Sequence, residues 1–296
     1  MKTPFKKAVV FDFETGGFDA KVNSVTEIAM VAVDLETLEI VDEMALLLKP
    51  RLDLRYFKDM EAKKALKYIF KKISYKNADE GRTVLSYAGK NHSLKMIDDI
   101  VGDFENFMKY IKDKNFILEY EDILEALEEE SVKDMADLMY DLVYTKGAAE
   151  VSKISRELLV KEGLTYEEFF DKITEFFDAH KVGGDKPILS GHNIEKFDMP
   201  FFFKIFEDFR KKISSYIADL RIDTLDYAKL QFFDVPSRSL GAVAKLLGFT
   251  LKEAHRALPD TIANAKVLIE MIKNLRGDGN VEKEYVRKKF NFNIEL

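Results

Sequence analysis

Two carboxylates stand in one short apolar run, Val9-Val10-Phe11-Asp12-Phe13-Glu14-Thr15-Gly16-Gly17, and they are the residues of this chain most suited to chemistry. With the alternation of a β-strand, Val10, Asp12 and Glu14 share one face, and Val9, Phe11 and Phe13 share the other. Taking an unpaired carboxylate out of water is costly, and two like charges on one face of a core strand make it worse, so a bound cation is the usual resolution. The ordinary alternative is that Asp12 and Glu14 lie past the strand end in solvent, with Gly16-Gly17 turning the chain. Partners further along the sequence decide between the two.

Two further runs supply such partners. Ser190-Gly191-His192-Asn193-Ile194-Glu195-Lys196-Phe197-Asp198-Met199-Pro200 follows the strand-like Pro187-Ile188-Leu189, and His255-Arg256-Ala257-Leu258-Pro259-Asp260 opens a helix that runs through Leu268. In this order the three runs resemble the exonuclease motifs of the DEDDh group of 3′-to-5′ exonucleases, the DnaQ-like family of the ribonuclease H-like superfamily. The segments between are similar too: Val25-Thr26-Glu27-Ile28-Ala29 resembles the family's second strand, Arg221-Ile222-Asp223-Thr224-Leu225 its Asp-Thr strand end, and Ser239 to Gly248 the helix before the last motif. The resemblance covers residues 5 to 50 and about 164 to 275. D-x-E after a strand is a weak signal by itself, whereas the ordered set ending in H-x-x-x-x-D is specific.

The resemblance implies that Asp12, Glu14, Asp198 and Asp260 hold two divalent ions, with Asp12 bridging them, and that His255 is the general base. The histidine lies five positions before Asp260; the tyrosine subgroup would place its tyrosine four before, where Arg256 stands. Phosphodiester hydrolysis needs a nucleophilic water at neutral pH and stabilisation of charge on the phosphate and the leaving 3′ oxygen, which such a centre provides. Ligation by oxygen alone favours Mg²⁺ or Mn²⁺. Each residue also has a bland reading: Asp198 as a helix cap before Pro200, Asp260 as a first-turn acid after Pro259, His255 as a surface histidine. Those readings give no reason for the residues to occur in this order. Thr15 and Gly16 are expected to bring backbone N–H groups to the terminal nucleotide, with no Cβ at Gly16 to obstruct it. Phe18 is a candidate to stack on the last base, a contact worth about 1–3 kcal/mol. Asn193, with His192, is expected to support the geometry around Asp198 and to contribute to substrate binding, and Asp223 to make a structural hydrogen bond. His92 and His180 lie outside the motifs.

The elements that must position these groups are legible as alternating runs. Residues 7 to 14, 25 to 34 and 38 to 48 read as strands, the last two joined by the turn-like Asp34-Leu35-Glu36-Thr37. Strands at 187 to 191 and 218 to 224 alternate with helices at about 166 to 180, 195 to 213, 225 to 231, 239 to 247 and 260 to 275, the pattern of an α/β sheet flanked by helices. The resemblance implies a ribonuclease H-like mixed sheet, three antiparallel strands followed by parallel ones. The expected organisation is an exonuclease domain of residues 1–50 and 165–275, a large helical insertion lobe at 51–164, and a C-terminal tail at 276–296.

Within the insertion, residues 56 to 73 set Lys58, Lys63, Lys64, Lys67, Lys71 and Lys72 around an apolar stripe of Phe57, Met60, Leu66, Ile69, Phe70 and Ile73. This reads either as a solvated face or as a clamp on a nucleic-acid backbone. Residues 97 to 142 carry fifteen Asp or Glu against four Lys, a soluble helical surface or one that steers nucleic acid or a basic partner. In the tail, Phe290, Phe292 and Ile294 alternate as in a strand, which could join its own sheet or dock into a polymerase or sliding clamp.

Composition sets the outer limits. The 296 residues are 47% hydrophobic and 33% charged, ordinary for a folded chain with a substantial core, and the absence of cysteine excludes disulfides and thiolate metal sites. The N-terminus lacks an apolar signal core and no run approaches the ~20 apolar residues of a membrane span, so a cytoplasmic protein is expected, of viral origin or otherwise. A net charge of −7 argues against a general basic surface for nucleic acid, though not against a nuclease that grips a few nucleotides beside bound cations. The sequence therefore points to an exonuclease working on DNA 3′ ends in proofreading, repair or end processing, in trans with a polymerase or other replication protein. An RNA 3′ exonuclease of the ribonuclease T or oligoribonuclease kind and a non-cutting replication subunit are the alternatives.

Overall fold

The computed structural model describes residues 5–232, 234–249 and 256–277. His255 and the strand-like part of the tail lie outside these residues.

A five-stranded sheet forms from Arg221–Asp223, Ile188–Gly191, β1 (Lys7–Thr15), β2 (Val25–Asp34) and β3 (Glu39–Leu47), in that spatial order. Val9 pairs with Leu189 and Ser190 with Ile222, both in parallel ladders. The four residues between β2 and β3 are too few for a parallel crossover, so this pair is a hairpin and the sheet is mixed. β-Branched and aromatic residues fill β1 and β2, and β2 is buried along nearly all its length. β3 lies at the edge and carries exposed Glu39, Asp42 and Glu43, charges that discourage pairing with another chain.

Alternation along β1 assigns its two faces to two helices. Phe11 stacks on Phe202 of the helix Asp198–Asp208, with ring centroids 5.0 Å apart, and Phe13, Phe177 and Phe206 complete an aromatic cluster around it. That helix buries Met199, Phe201, Phe202, Ile205 and Phe206, the spacing of one helical face. On the other face, Ala8 and Val10, with Val31 and Val33 of β2, pack against Ala265, Leu268 and Ile269 of the helix Ala257–Arg276. Asp12 continues the Ala8–Val10 face, and Asp260 lies in the first turn of the helix that covers it.

The chain divides into two compact units, one holding the described parts of Met1–Phe13, Ile28–Leu46 and Phe170–Leu296, the other Glu14–Glu27 and Leu47–Phe169. The second unit has its own core of Phe57, Leu66, Ile69, Phe104, Phe107, Met135, Met139 and Leu142. Its helices include Ala62–Ile73, Val101–Tyr110, Tyr120–Glu128 and Lys133–Val143. Two departures from the sequence reading stand out. The lysine-rich helix starts at Ala62 instead of residue 56, because Arg55–Phe57 closes as a separate 3₁₀ turn that buries Phe57. The unit is also not wholly helical: Tyr75–Lys76, Thr83–Tyr87 and Lys90–His92 form a three-stranded antiparallel sheet, and Leu52–Asp53 pairs with Ile117–Leu118.

Phe202 is fully buried at the centre of the aromatic cluster, so Phe202→Ala should lower unfolding free energy by about 3–5 kcal/mol. A drop of less than about 1 kcal/mol in urea denaturation would show that the cluster does not support the strand.

Candidate active site

The structure brings three of the predicted carboxylates together. Asp12 and Glu14 on β1 and Asp260 on the last helix are each partly buried, and each offers an oxygen within 4.8 Å of the other two. At such separations an ionised pair repels by roughly 3–4 kcal/mol for an effective dielectric near 20, so the cluster calls for a cation or a proton. The donors are all carboxylate oxygens, which fits a hard divalent ion. Asp198 is 7% exposed, in the first turn of its helix, and its Oδ1 accepts a hydrogen bond from the Phe13 N–H at 3.2 Å. This bond fixes Asp198 to the residue between Asp12 and Glu14.

Behind Asp198 the turn after the strand Ile188–Gly191 is held by a polar network. A Cβ on Gly191 would lie 2.0 Å from Ile194 Cγ2 and 3.0 Å from the Phe11 carbonyl oxygen, so the turn against β1 requires glycine. Asn193 adopts a left-handed conformation (φ 66°) and donates its N–H to Asp223 Oδ1 at 2.8 Å, and the same oxygen accepts from Leu225 N–H to cap the helix Thr224–Gln231. His192 donates from Nε2 to the Arg238 carbonyl at 2.9 Å, and its Nδ1 lies 2.9 Å from the Thr224 hydroxyl. Burial holds the His192 pKa below its ordinary value, in keeping with a neutral ring carrying one proton. The Thr224 hydroxyl is also 2.8 Å from the carboxamide of Asn264, one turn beyond Asp260 on the last helix. Arg238 and Asn264 were not singled out in the sequence, and Thr224 only as part of the Asp-Thr strand end; a buried Asn among helical apolar residues is the one cue that could have raised Asn264.

On the Glu14 side, the loop leaving β1 is bound within the second unit. The Glu14 carbonyl accepts from the Thr26 hydroxyl at 3.0 Å. The Gly16 carbonyl accepts from both the N–H and the hydroxyl of Thr145 at 2.9 Å, and Ser24 N–H donates to the Val143 carbonyl at 3.2 Å. Asn23, 5% exposed, accepts from Asp19 N–H through Oδ1 and donates from Nδ2 to the Leu142 carbonyl, both at 2.8 Å. These bonds revise the expectation for Gly16. Its N–H is donated to the Ser24 carbonyl at 2.7 Å, and a Cβ there would meet the Val143 carbonyl oxygen at 2.0 Å, so glycine is required by the protein's own backbone. The Thr15 hydroxyl donates to the Gly17 carbonyl at 2.7 Å. Phe18, by contrast, is 85% exposed.

Comparison with known proteins finds exonucleases similar to parts of this chain. Residues 125–268, just under half of the chain, match a family model described as an exonuclease, a span that includes Asp198 and Asp260 but not Asp12 or Glu14. Over 131 residues the chain is 30% identical to the 3′-5′ exonuclease DinG of Staphylococcus aureus, covering 43% of this chain and 13% of that protein. Over 133 residues it is 29% identical to a PolC-type DNA polymerase III of Clostridium perfringens, covering 45% of this chain and 8% of the polymerase. The chain thus matches only a small part of the length of these relatives. Among solved structures, the fold is shared with E. coli exonuclease I in a zinc-bound complex with single-stranded DNA, at TM-score 0.54 and 14% identity over 92% of this chain and 41% of that one. It is shared also with the nuclease domain of 3′hExo, a DEDDh family member bound to rAMP, at TM-score 0.51 and 13% identity over 93% and 95% of the two chains. The fold is the one these nuclease structures have, and in it Asp12, Glu14 and Asp260 converge. In sequence, residues 125–268 are similar to an exonuclease domain.

Gly16→Ala must displace either the Val143 carbonyl or the end of β1 that carries Glu14. Added Mn²⁺ should raise the melting temperature of the wild type, and this rise should shrink markedly in Gly16→Ala while persisting in Gly102→Ala, whose added Cβ meets open space. An equal Mn²⁺-dependent rise in both variants would show that the loop does not govern the carboxylate site.

Proposed function

We propose that this protein is a metal-dependent 3′-to-5′ exonuclease that shortens DNA from its 3′ end, releasing nucleoside 5′-monophosphates in proofreading, repair or end processing. The observation that carries the reading is the convergence of Asp12, Glu14 and Asp260 beside Asp198 on the exonuclease fold. Asp12, Glu14, Asp198 and Asp260 would hold two divalent ions, Mg²⁺ or Mn²⁺, which when bound would supply a nucleophilic water at neutral pH and neutralise charge on the phosphate. The protein's own part is to hold the four carboxylates: the sheet fixes Asp12 and Glu14, the Phe13 amide orients Asp198, and the last helix presents Asp260. His255 serves as the general base that takes the proton from the attacking water. Phe18, exposed on the loop after Glu14, stacks on the terminal base.

DNA is favoured because the matched relatives are a 3′-5′ exonuclease and a DNA polymerase, and because exonuclease I shares the fold in complex with single-stranded DNA. These relatives also support work alongside a polymerase or other replication protein. RNA is the second reading, motivated by the rAMP in the 3′hExo nuclease domain.

With Mg²⁺ or Mn²⁺, end-labelled single-stranded DNA and mismatched primer-template should shorten stepwise from the 3′ end faster than matching RNA, and Asp12→Ala should reduce the rate to background. Faster shortening of RNA would favour the second reading, and cleavage undiminished in Asp12→Ala would refute the site. His255→Ala should slow cleavage while leaving the Mn²⁺-dependent rise in melting temperature intact; loss of that rise would make His255 part of the metal site instead.

A further inference from the structure

The helix Ala62–Ile73 carries a band of cations, part of which no carboxylate among the described residues neutralises. Lys63 pairs with Asp98 at 2.7 Å, and Lys72 pairs with Asp19 at 2.6 Å. Lys64, Lys67 and Lys71 are exposed, and among the described residues no carboxylate lies within 4 Å of their ammonium groups. At about 100° per residue these three fall within about 60° of arc, opposite the face that buries Ala62, Leu66 and Ile69. Three lysines on one stripe with no ion-pair partner among the described residues are conspicuous in a chain whose net charge is −7.

The position of the band ties it to the loop that leaves β1 after Glu14. Tyr68 and Lys72, the next positions around the helix from Lys64, both reach the Asp19 carboxylate, Tyr68 by its hydroxyl at 2.5 Å and Lys72 at 2.6 Å. Asp19 follows Phe18, the exposed aromatic of the same loop, and Lys21 lies over the Tyr56 ring, which in turn contacts Tyr68. An exposed aromatic and a stripe of unpaired cations are thus joined by one buttressed loop. A flat aromatic face next to a row of point charges is what a single nucleic-acid strand needs, with a base to stack and successive phosphates to neutralise. An acidic protein would engage the charges but offer no base to the exposed aromatic face.

We propose that Lys64, Lys67 and Lys71 form a backbone track for the single strand whose 3′ end enters the site, with Phe18 at its head. The proposal rests on the nuclease reading and concerns binding alone, so the two can fail separately. The track explains how an acidic protein holds a polyanion: affinity is concentrated on one stripe.

The test is fluorescence anisotropy of a labelled 20-nucleotide single-stranded DNA with the full chain in EDTA, where metal-dependent cleavage is blocked, across a salt series. The triple variant K64Q/K67Q/K71Q is compared with K90Q/K112Q/K161Q, an equal loss of charge at exposed lysines elsewhere; circular dichroism melts establish that both fold. The stripe variant should bind roughly tenfold or more weakly at 0.1 M salt, and its log–log salt slope should be shallower by about 2, three contacts at about 0.7 each. The comparison variant should match the wild type. Unchanged affinity and slope in the stripe variant, or equal losses in both variants, would overturn the proposal. So would stripe-dependent binding of labelled polyglutamate without binding of DNA, which would assign the band to an acidic protein. Stripe-dependent DNA binding by a protein that cleaves nothing would support the track and refute the nuclease reading.

Discussion

Mutual repulsion among Asp12, Glu14 and Asp260 is the constraint on which the rest of the site's architecture depends. Nothing in local propensity favours three carboxylates within a few ångströms, so the surrounding structure has to impose their positions. It does so through rigid elements. β1 is an inner strand of the sheet, its aromatic face pinned by Phe202 and its other face covered by the helix that begins just before Asp260. The energy that holds like charges together comes from apolar burial on both sides of one strand.

The polar network around Asp198 serves the same end by different means. Thr224 touches both His192, in the turn before Asp198, and Asn264, one turn past Asp260. Two carboxylate-bearing segments far apart in sequence therefore share one buried hydroxyl, and neither can shift without breaking a hydrogen bond in the interior. The Glu14 end is secured by backbone bonds with residues 142 to 145, which makes a piece of the long insertion part of the frame for the loop after β1.

Much of this was legible in the sequence because it is local. Alternation in Val9–Glu14 gives the strand and its two faces, and the order of the motifs points to Asp12, Glu14 and Asp260, which the structure brings together. The features that were missed depend on what folding brings together. Gly16 resembles a substrate-facing glycine until the Val143 carbonyl is found where its Cβ would be. Arg238 and Asn264 look ordinary in their own segments and acquire meaning only around His192. The hairpin at residues 83 to 92 escaped notice because its turn uses Ala88-Gly89, both at positive φ, instead of the stronger Asn-Gly signal. The start of the lysine-rich helix was misplaced because Phe57 and Met60 fit a helical stripe although Phe57 belongs to a separate turn.

The central claim is that the three converging carboxylates exist to hold metal. A crystal of the protein grown with Mn²⁺ and measured for anomalous scattering tests it most directly. The account predicts a Mn²⁺ peak at coordination distance from oxygens of Asp12, Glu14 and Asp260, about 2.0–2.4 Å away. Well-ordered carboxylates with no peak among them, or Mn²⁺ bound only at other acidic groups, would contradict it.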